Sequence, residues 1–109
     1  MAAVKRFRVL AALGDSSAQY FLGELYAFGL GVPKDEEKAI EFFRRAAKWT
    51  SGGDKSAAAS MYYVGERYLG GRGIARDAES AQRWFERSAK EGYAKAADEL
   101  SRLNGQTAR

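Results

Sequence analysis

The chain has 109 residues, 46% hydrophobic and 29% charged, with one Pro and 12 Gly, which is the size and balance of one folded domain and excludes a disordered chain. It contains neither Cys nor His, so disulfides, thiolate or imidazole metal sites, Cys or His nucleophiles and a base poised near neutral pH are excluded, and no catalytic residue, metal or cofactor is expected. The net charge of +4, from 18 Lys and Arg against 14 Asp and Glu, is too small by itself to point to nucleic acid.

The first element spans Val4 to Leu13, where Val4, Phe7, Leu10 and Ala11 recur at helical spacing. Lys5, Arg6 and Arg8 precede an apolar run of only Val9 to Leu13, shorter than the roughly 7 to 15 residues of a signal-peptide core. No stretch approaches the ~18 apolar residues of a membrane span. A cytoplasmic location without membrane insertion is therefore expected, with the periplasm or secretion as the alternative for a trimmed chain. The second element carries Ala18, Leu22, Leu25 and Tyr26 on one stripe and is stopped by Gly29-Leu30-Gly31. Asp35 then stands at an N-cap, followed by Glu36 and Glu37 at the positive helix end, and the third element buries Ala39, Phe42, Phe43, Ala46 and Ala47. After a polar stretch from Trp49 to Lys55 the pattern starts again. A fourth element holds Val64 and Tyr68, Asp77 caps a fifth with Ala81, Trp84, Phe85, Ser88 and Ala89, and a sixth follows Gly92.

The recurrence is an internal repeat. At an offset of 42, Tyr20-Phe21-Leu22-Gly23-Glu24-Leu25-Tyr26 aligns with Tyr62-Tyr63-Val64-Gly65-Glu66-Arg67-Tyr68, and Gly29-x-Gly31 aligns with Gly71-x-Gly73. Asp35 then meets Asp77, Ala39 meets Ala81, and Phe42-Phe43 meets Trp84-Phe85. A third, partial copy follows at a further offset of 36, where Gly92, Ala96 and Leu100 stand at the spacing of Gly14, Ala18 and Leu22. The natural period is 36, and the first copy carries six extra residues around Trp49 to Lys55. The single domain, 1–109, thus divides into a half repeat (1–13), a repeat with the insertion (14–55), a second repeat (56–91), a terminal capping helix (92–104) and a frayed tail (105–109).

Ala18, Leu22, Gly23, Tyr26, Gly29, Gly31, Val32, Asp35, Lys38, Ala39, Phe42, Ala46 and Ala47 stand at the spacing of the Sel-like repeat (SLR), a relative of the tetratricopeptide repeat, which the sequence resembles. The second copy agrees through Gly65, Tyr68, Gly71, Gly73, Ile74, Asp77, Ala81, Trp84, Ala89 and Gly92, departing at Ser60, Val64, Ser80 and Ser88. The third has Ser101 and Asn104 where Gly and Tyr belong, as expected of a capping helix. The resemblance implies an all-α fold, a short right-handed α-solenoid of about six antiparallel helices. It also implies a non-catalytic protein–protein interaction module, an adaptor or scaffold. Its alternatives are a bacterial immunity protein that neutralises a toxin and a basic nucleic-acid-binding solenoid.

Three other patterns have plain structural readings. The Gly-rich turns follow helices, not strands, and lack a Gly-Lys-Ser or Gly-Lys-Thr ending, so they are helix stops and not phosphate loops. Arg44, Arg45 and Lys48, then Arg83, Arg87 and Lys90, form a basic outer row interleaved with Glu41, Glu86 and Glu91, the composition of a solvated face, which disfavours nucleic acid. Glu24 and Glu66 occupy equivalent places one repeat apart, about 10 Å, and form no catalytic pair. The resemblance implies instead that the first helix of each repeat lines a concave groove for a protein or peptide. Spacing puts Ser17, Tyr20, Glu24, Ala27 and Phe28 on that side, with Ala59, Tyr62, Glu66, Leu69 and Gly70 below them and Lys95, Asp98 and Arg102 on the last helix. The candidate partner-binding residues are Ser17, Tyr20, Glu24, Phe28, Tyr62, Glu66, Leu69, Asp98 and Arg102. The competing reading has Tyr20 and Tyr62 packing between adjacent first helices. The half repeat exposes one flank, so weak self-association is also expected.

Overall fold

Side-chain caps and glycine stops set the helix boundaries. Asp15 accepts a hydrogen bond from the Ala18 N–H at 2.8 Å, Asp35 from Lys38 at 3.1 Å and Asp77 from Ser80 at 3.1 Å, satisfying N–H groups that a helix start leaves free. Gly29 (φ 68°) and Gly71 (φ 67°) take the left-handed conformation that ends the first helix of each repeat. The Leu30 N–H then reaches Leu25 O at 2.9 Å, as Arg72 reaches Arg67 O at 3.1 Å, a Schellman closure. The Asp35 N–H donates to Tyr26 O and the Asp77 N–H to Tyr68 O, so each cap residue also ties the second helix to the end of the first.

The computed structural model describes residues 2–48 and 55–107. Six helices follow: α1 (Ala2–Ala12), α2 (Ser16–Phe28), α3 (Glu36–Lys48), α4 (Lys55–Gly70), α5 (Ala78–Lys90) and α6 (Ala94–Thr107). No strand occurs among the described residues. They form a right-handed solenoid of antiparallel pairs measuring 50 × 29 × 16 Å. The six-residue insertion lies almost wholly outside the described residues. The last helix runs on to Thr107, so positions 105–107, read from sequence as tail, are helical.

Each pair is locked by one ring over one glycine. A Cβ on Gly23 would lie 2.5–2.9 Å from the Phe43 ring, and one on Gly65 would lie 2.7–3.2 Å from Phe85. Phe43 and Phe85 are accordingly buried, as are Leu22 and Val64 on the helices they face. Ala39, Ala46, Ala47 and Ala81 are fully buried and let the backbones approach. Between pairs the joints are polar as well as apolar. Arg8 donates to the Tyr26 hydroxyl at 2.9 Å, and Arg44 donates to the Tyr68 hydroxyl: the same arginine of one pair reaching the same tyrosine of the next. Within the second pair, Ser88 adds a buried bond to Ala58 O at 2.7 Å.

Among the inner helices α2 packs directly on α4, whereas α1, α3 and α5 share no comparable contact with one another. The first helices therefore form the inner row and α1, α3 and α5 the outer row. At the ends, α1 buries Val4 and Ala11 against α2 but leaves Val9, Leu10 and Leu13 exposed. On α6, Ala96 is buried while Ser101 and Asn104 are exposed.

Gly23→Ala tests the ring-on-glycine contact. Alanine at an ordinary exposed helix site stabilises by about 1 kcal/mol relative to glycine, but here overpacking reverses the sign, with an expected loss of about 1–3 kcal/mol in chemical denaturation. In a Phe43→Leu background, where the ring is gone, the same glycine substitution should cost much less.

Candidate functional site

Along the inner row the aromatic side chains form a continuous series. Phe7 on α1 stacks on Phe21 (5.4 Å between centroids), which neighbours Tyr20 (5.6 Å); Tyr20 stacks on Tyr63 of α4 (6.1 Å). Tyr63 meets Tyr62 edge-on at 5.5 Å, and Tyr62 meets Tyr93, just before α6, at 5.3 Å. The rings rest on the locks beneath them: Tyr20 lies 5.9 Å and Tyr63 5.2 Å from Phe43, and Tyr62 lies 5.6 Å from Phe85. Tyr20, Tyr62, Tyr63 and Tyr93 are half-buried and Phe21 is exposed, so the series has a packed edge and a solvent edge. Tyr20 packs against Tyr63 of the next inner helix and Tyr62 against Tyr93, and each remains half-buried.

Carboxylates line this series. The Tyr62 hydroxyl donates to Glu66 Oε2 at 3.2 Å. Burial, then Tyr63, then the Glu24 charge push the Tyr20 phenol well above its ordinary range. Burial, then the Glu66 charge and hydrogen bond do the same to Tyr62, and burial followed by Tyr63 raises Tyr93. Each cause disfavours a phenolate in an already negative, partly dry place.

Under the tyrosines lies a charge. The Arg67 side chain is 5% exposed, with its guanidinium 5.6 Å from the Phe43 centroid and 5.8 Å from Tyr63. Its Nε lies 3.7 Å from Glu36 Oε2, and neither atom has a hydrogen-bond partner. Burial lowers its pKa against the pull of Glu36. The equivalent residue in the first repeat is Leu25.

The structure gathers some of the predicted site residues and separates others. Tyr20 and Glu24 adjoin, as do Tyr62 and Glu66. Glu66, Leu69 and Arg102 line a cavity of about 300 Å³ with Gly70, Arg72 and Glu99. Leu69 also packs on the core cluster around Phe85, and Arg102 pairs with Glu99. Ser17 Oγ lies 3.2 Å from Ser56 Oγ at the helix starts, away from the rings. Phe28 is exposed at the far end of α2, and Asp98 is exposed on α6. Ala27 and Ala59, which spacing also placed on the groove, are buried, because an inner helix is covered by the next inner helix as well as by its outer partner. Sequence reasoning passed over Tyr63, Tyr93 and Arg67. The aromatic match of Phe21 with Tyr63 was a signal for the first; Tyr93 aligns with Ala57 and Arg67 with Leu25, so the repeat gives no sign of either.

No group of three or more potential metal-ligating side chains occurs among the described residues, and no described helix is long and apolar enough to cross a membrane. On the outer row, Arg45 pairs with Glu41 and lies over Phe42, and Arg87 lies 4.6 Å from the Trp84 centroid.

The two complete helix pairs, residues 16–48 and 58–93, match the family model described as the Sel1 repeat. The chain belongs to the Sel1 repeat family. A Sel1 repeat protein from Oxalobacter formigenes is 33% identical with a TM-score of 0.80, over 91% of this chain and 38% of that one. A protective antigen of uropathogenic Escherichia coli strains displaying an SLR fold is 28% identical with a TM-score of 0.84, over 95% and 21%. Cysteine rich protein B of Helicobacter pylori, 22% identical with a TM-score of 0.79 over 89% and 68%, shares the fold. This chain spans 38% and 21% of the length of the first two. No curated protein matches it. Sel1 repeat proteins generally mediate protein–protein interactions and are generally non-catalytic helical scaffolds.

Two outcomes test this Sel1 repeat site. Because Tyr20, Tyr62 and Tyr93 have folded pKa values above the unfolded value of about 10, the stability they contribute is complete below pH ~10 and lost as pH rises through the folded values. Denaturation midpoints should fall on the alkaline side, and less so in Tyr20→Phe with Tyr62→Phe. Arg67→Leu with Glu36→Ala, which replaces both members of the pair by the residues at the equivalent places of the other repeat, Leu25 and Ala78, should be neutral or stabilising, as buried ion pairs replaced by apolar groups often are. Glu36→Gln, which leaves the guanidinium with Glu66 at 3.8 Å as its remaining counter-charge, should cost about 1–3 kcal/mol.

Proposed function

We propose that this Sel1 repeat protein is a non-catalytic adaptor that binds a segment of a partner protein along its inner row. The observation that carries the reading is the series Phe21, Tyr20, Tyr63, Tyr62 and Tyr93, whose rings are held from below by Phe43 and Phe85 while their outer edges face solvent. Pre-positioned aromatic side chains of this kind supply contact area at little entropic cost, which is why they dominate interface energetics. Inhibition of a toxin would be one case of the same binding mode. The nucleic-acid alternative is weakened because Arg44, Arg45 and Arg87 are engaged by Tyr68, Glu41 and Trp84.

The test compares rows. Against a partner captured from the native host, Tyr20→Ala with Tyr62→Ala should lose about 2–4 kcal/mol of binding free energy in calorimetry. Phe28→Ala, at an exposed position that carries no fold, should also weaken it. Arg83→Ala with Arg87→Ala should leave affinity within ~0.5 kcal/mol. The opposite ranking places the interface on the outer row.

A further inference from the structure

The charge of the molecule is not evenly spread. Lys5, Arg6 and Arg8 stand on α1 without an acidic residue, and Arg45 with Lys48 and Arg87 with Lys90 close the outer helices α3 and α5. The inner row has a different make-up. Glu24 and Glu66 sit at equivalent places beside Tyr20 and Tyr62, and Glu66 accepts the Tyr62 hydroxyl.

Each inner-row arginine has carboxylates of its own. Arg67 is buried between Phe43 and Tyr63 and lies 3.7 Å from Glu36 and 3.8 Å from Glu66; Arg72 lies 4.0 Å from Glu36 and Arg102 is paired with Glu99, both on the cavity that Glu66 lines, while Glu24 stands beside Tyr20. Lys55 and Lys95 stand at the first turns of α4 and α6, away from the C-terminal halves that carry Glu24 and Glu66. The solvent side of the groove therefore presents carboxylates beside aromatic faces, and both attract cations: the carboxylate by its charge, the ring by its quadrupole.

We propose that the groove is selective for a basic segment of its partner, with Lys or Arg stems laid on the rings of Tyr20 and Tyr62 and their charges set against Glu24 and Glu66. This rests on the inner row being the docking surface. Adjacent helix axes lie about 8–10 Å apart, and a chain in the polyproline II conformation advances about 3.1 Å per residue with three residues per turn, so a segment crossing the helices in that conformation meets the two acidic positions with side chains three residues apart on one face. Long aliphatic stems suit the arrangement because they cover ring surface while their charged heads reach the carboxylates.

Three labelled peptides of equal length, with Lys, Gln or Glu at every third position of an otherwise Ser/Ala sequence, test this by fluorescence anisotropy at low salt, with amide chemical shifts locating each contact. The Lys peptide should bind about tenfold tighter than the Gln peptide, the effect of two such cation sites, and the Glu peptide no tighter than the Gln peptide. Glu24→Gln with Glu66→Gln, which keeps shape and hydrogen-bond acceptors, should abolish the Lys preference. A Lys preference that survives this double substitution, or a preference for Glu, overturns the proposal. Equal binding of all three peptides at the inner row removes the charge selectivity but leaves the row as a docking surface. If no peptide shifts the amides around Tyr20 and Tyr62, the docking surface falls with it.

Discussion

Everything in this molecule hangs on a phenylalanine ring pressed onto a glycine. Phe43 against Gly23 and Phe85 against Gly65 bring the two helices of each pair closer than any side chain on the inner helix would permit. The same two rings support Tyr20, Tyr63 and Tyr62. One contact thus sets both the helix spacing and the height of the aromatic surface above it. The caps and turns serve this contact: Asp35 and Asp77 bond back to Tyr26 and Tyr68, fixing where the second helix begins and so which of its residues meets the glycine.

Arg67 departs from the otherwise regular plan. A repeat protein can place a leucine here, as this one does at Leu25, so the guanidinium under Tyr63 answers no packing need. Its position between two rings and beside Glu36 of the preceding pair joins the second repeat to the first through charge. Removing two charges from water is costly, and the 3.7 Å separation without a hydrogen bond returns little of that cost.

The fold was open to reading from the sequence because its determinants are local and occur twice. Asp35 and Asp77 mark helix starts, Gly29 and Gly71 mark ends, and the offset between copies leaves no freedom in the connection pattern. The inner surface was less legible. Helical spacing separates a core stripe from its opposite, but it does not show that α2 also touches α4, which is why Ala27 and Ala59 are buried and Leu69 packs into the core. Nor does it separate Phe42, half-buried and stacked on Tyr26, from fully buried Phe43. Tyr93 joins the ring series from outside the helix register, where no periodic argument reaches. Tyr20 with Glu24 and Tyr62 with Glu66 were legible as neighbours because the pairing recurs in the second copy.

Contact between neighbouring pairs is as extensive as contact within a pair, because α4 packs on both α3 and α2. Part of that joint is closed by an exposed arginine–tyrosine bond that water can replace. The stacked rings of Tyr20 and Tyr63 straddle the same joint. The aromatic wall is thus itself cement between one repeat and the next, and a substitution there alters how the repeats stack as well as the face they present.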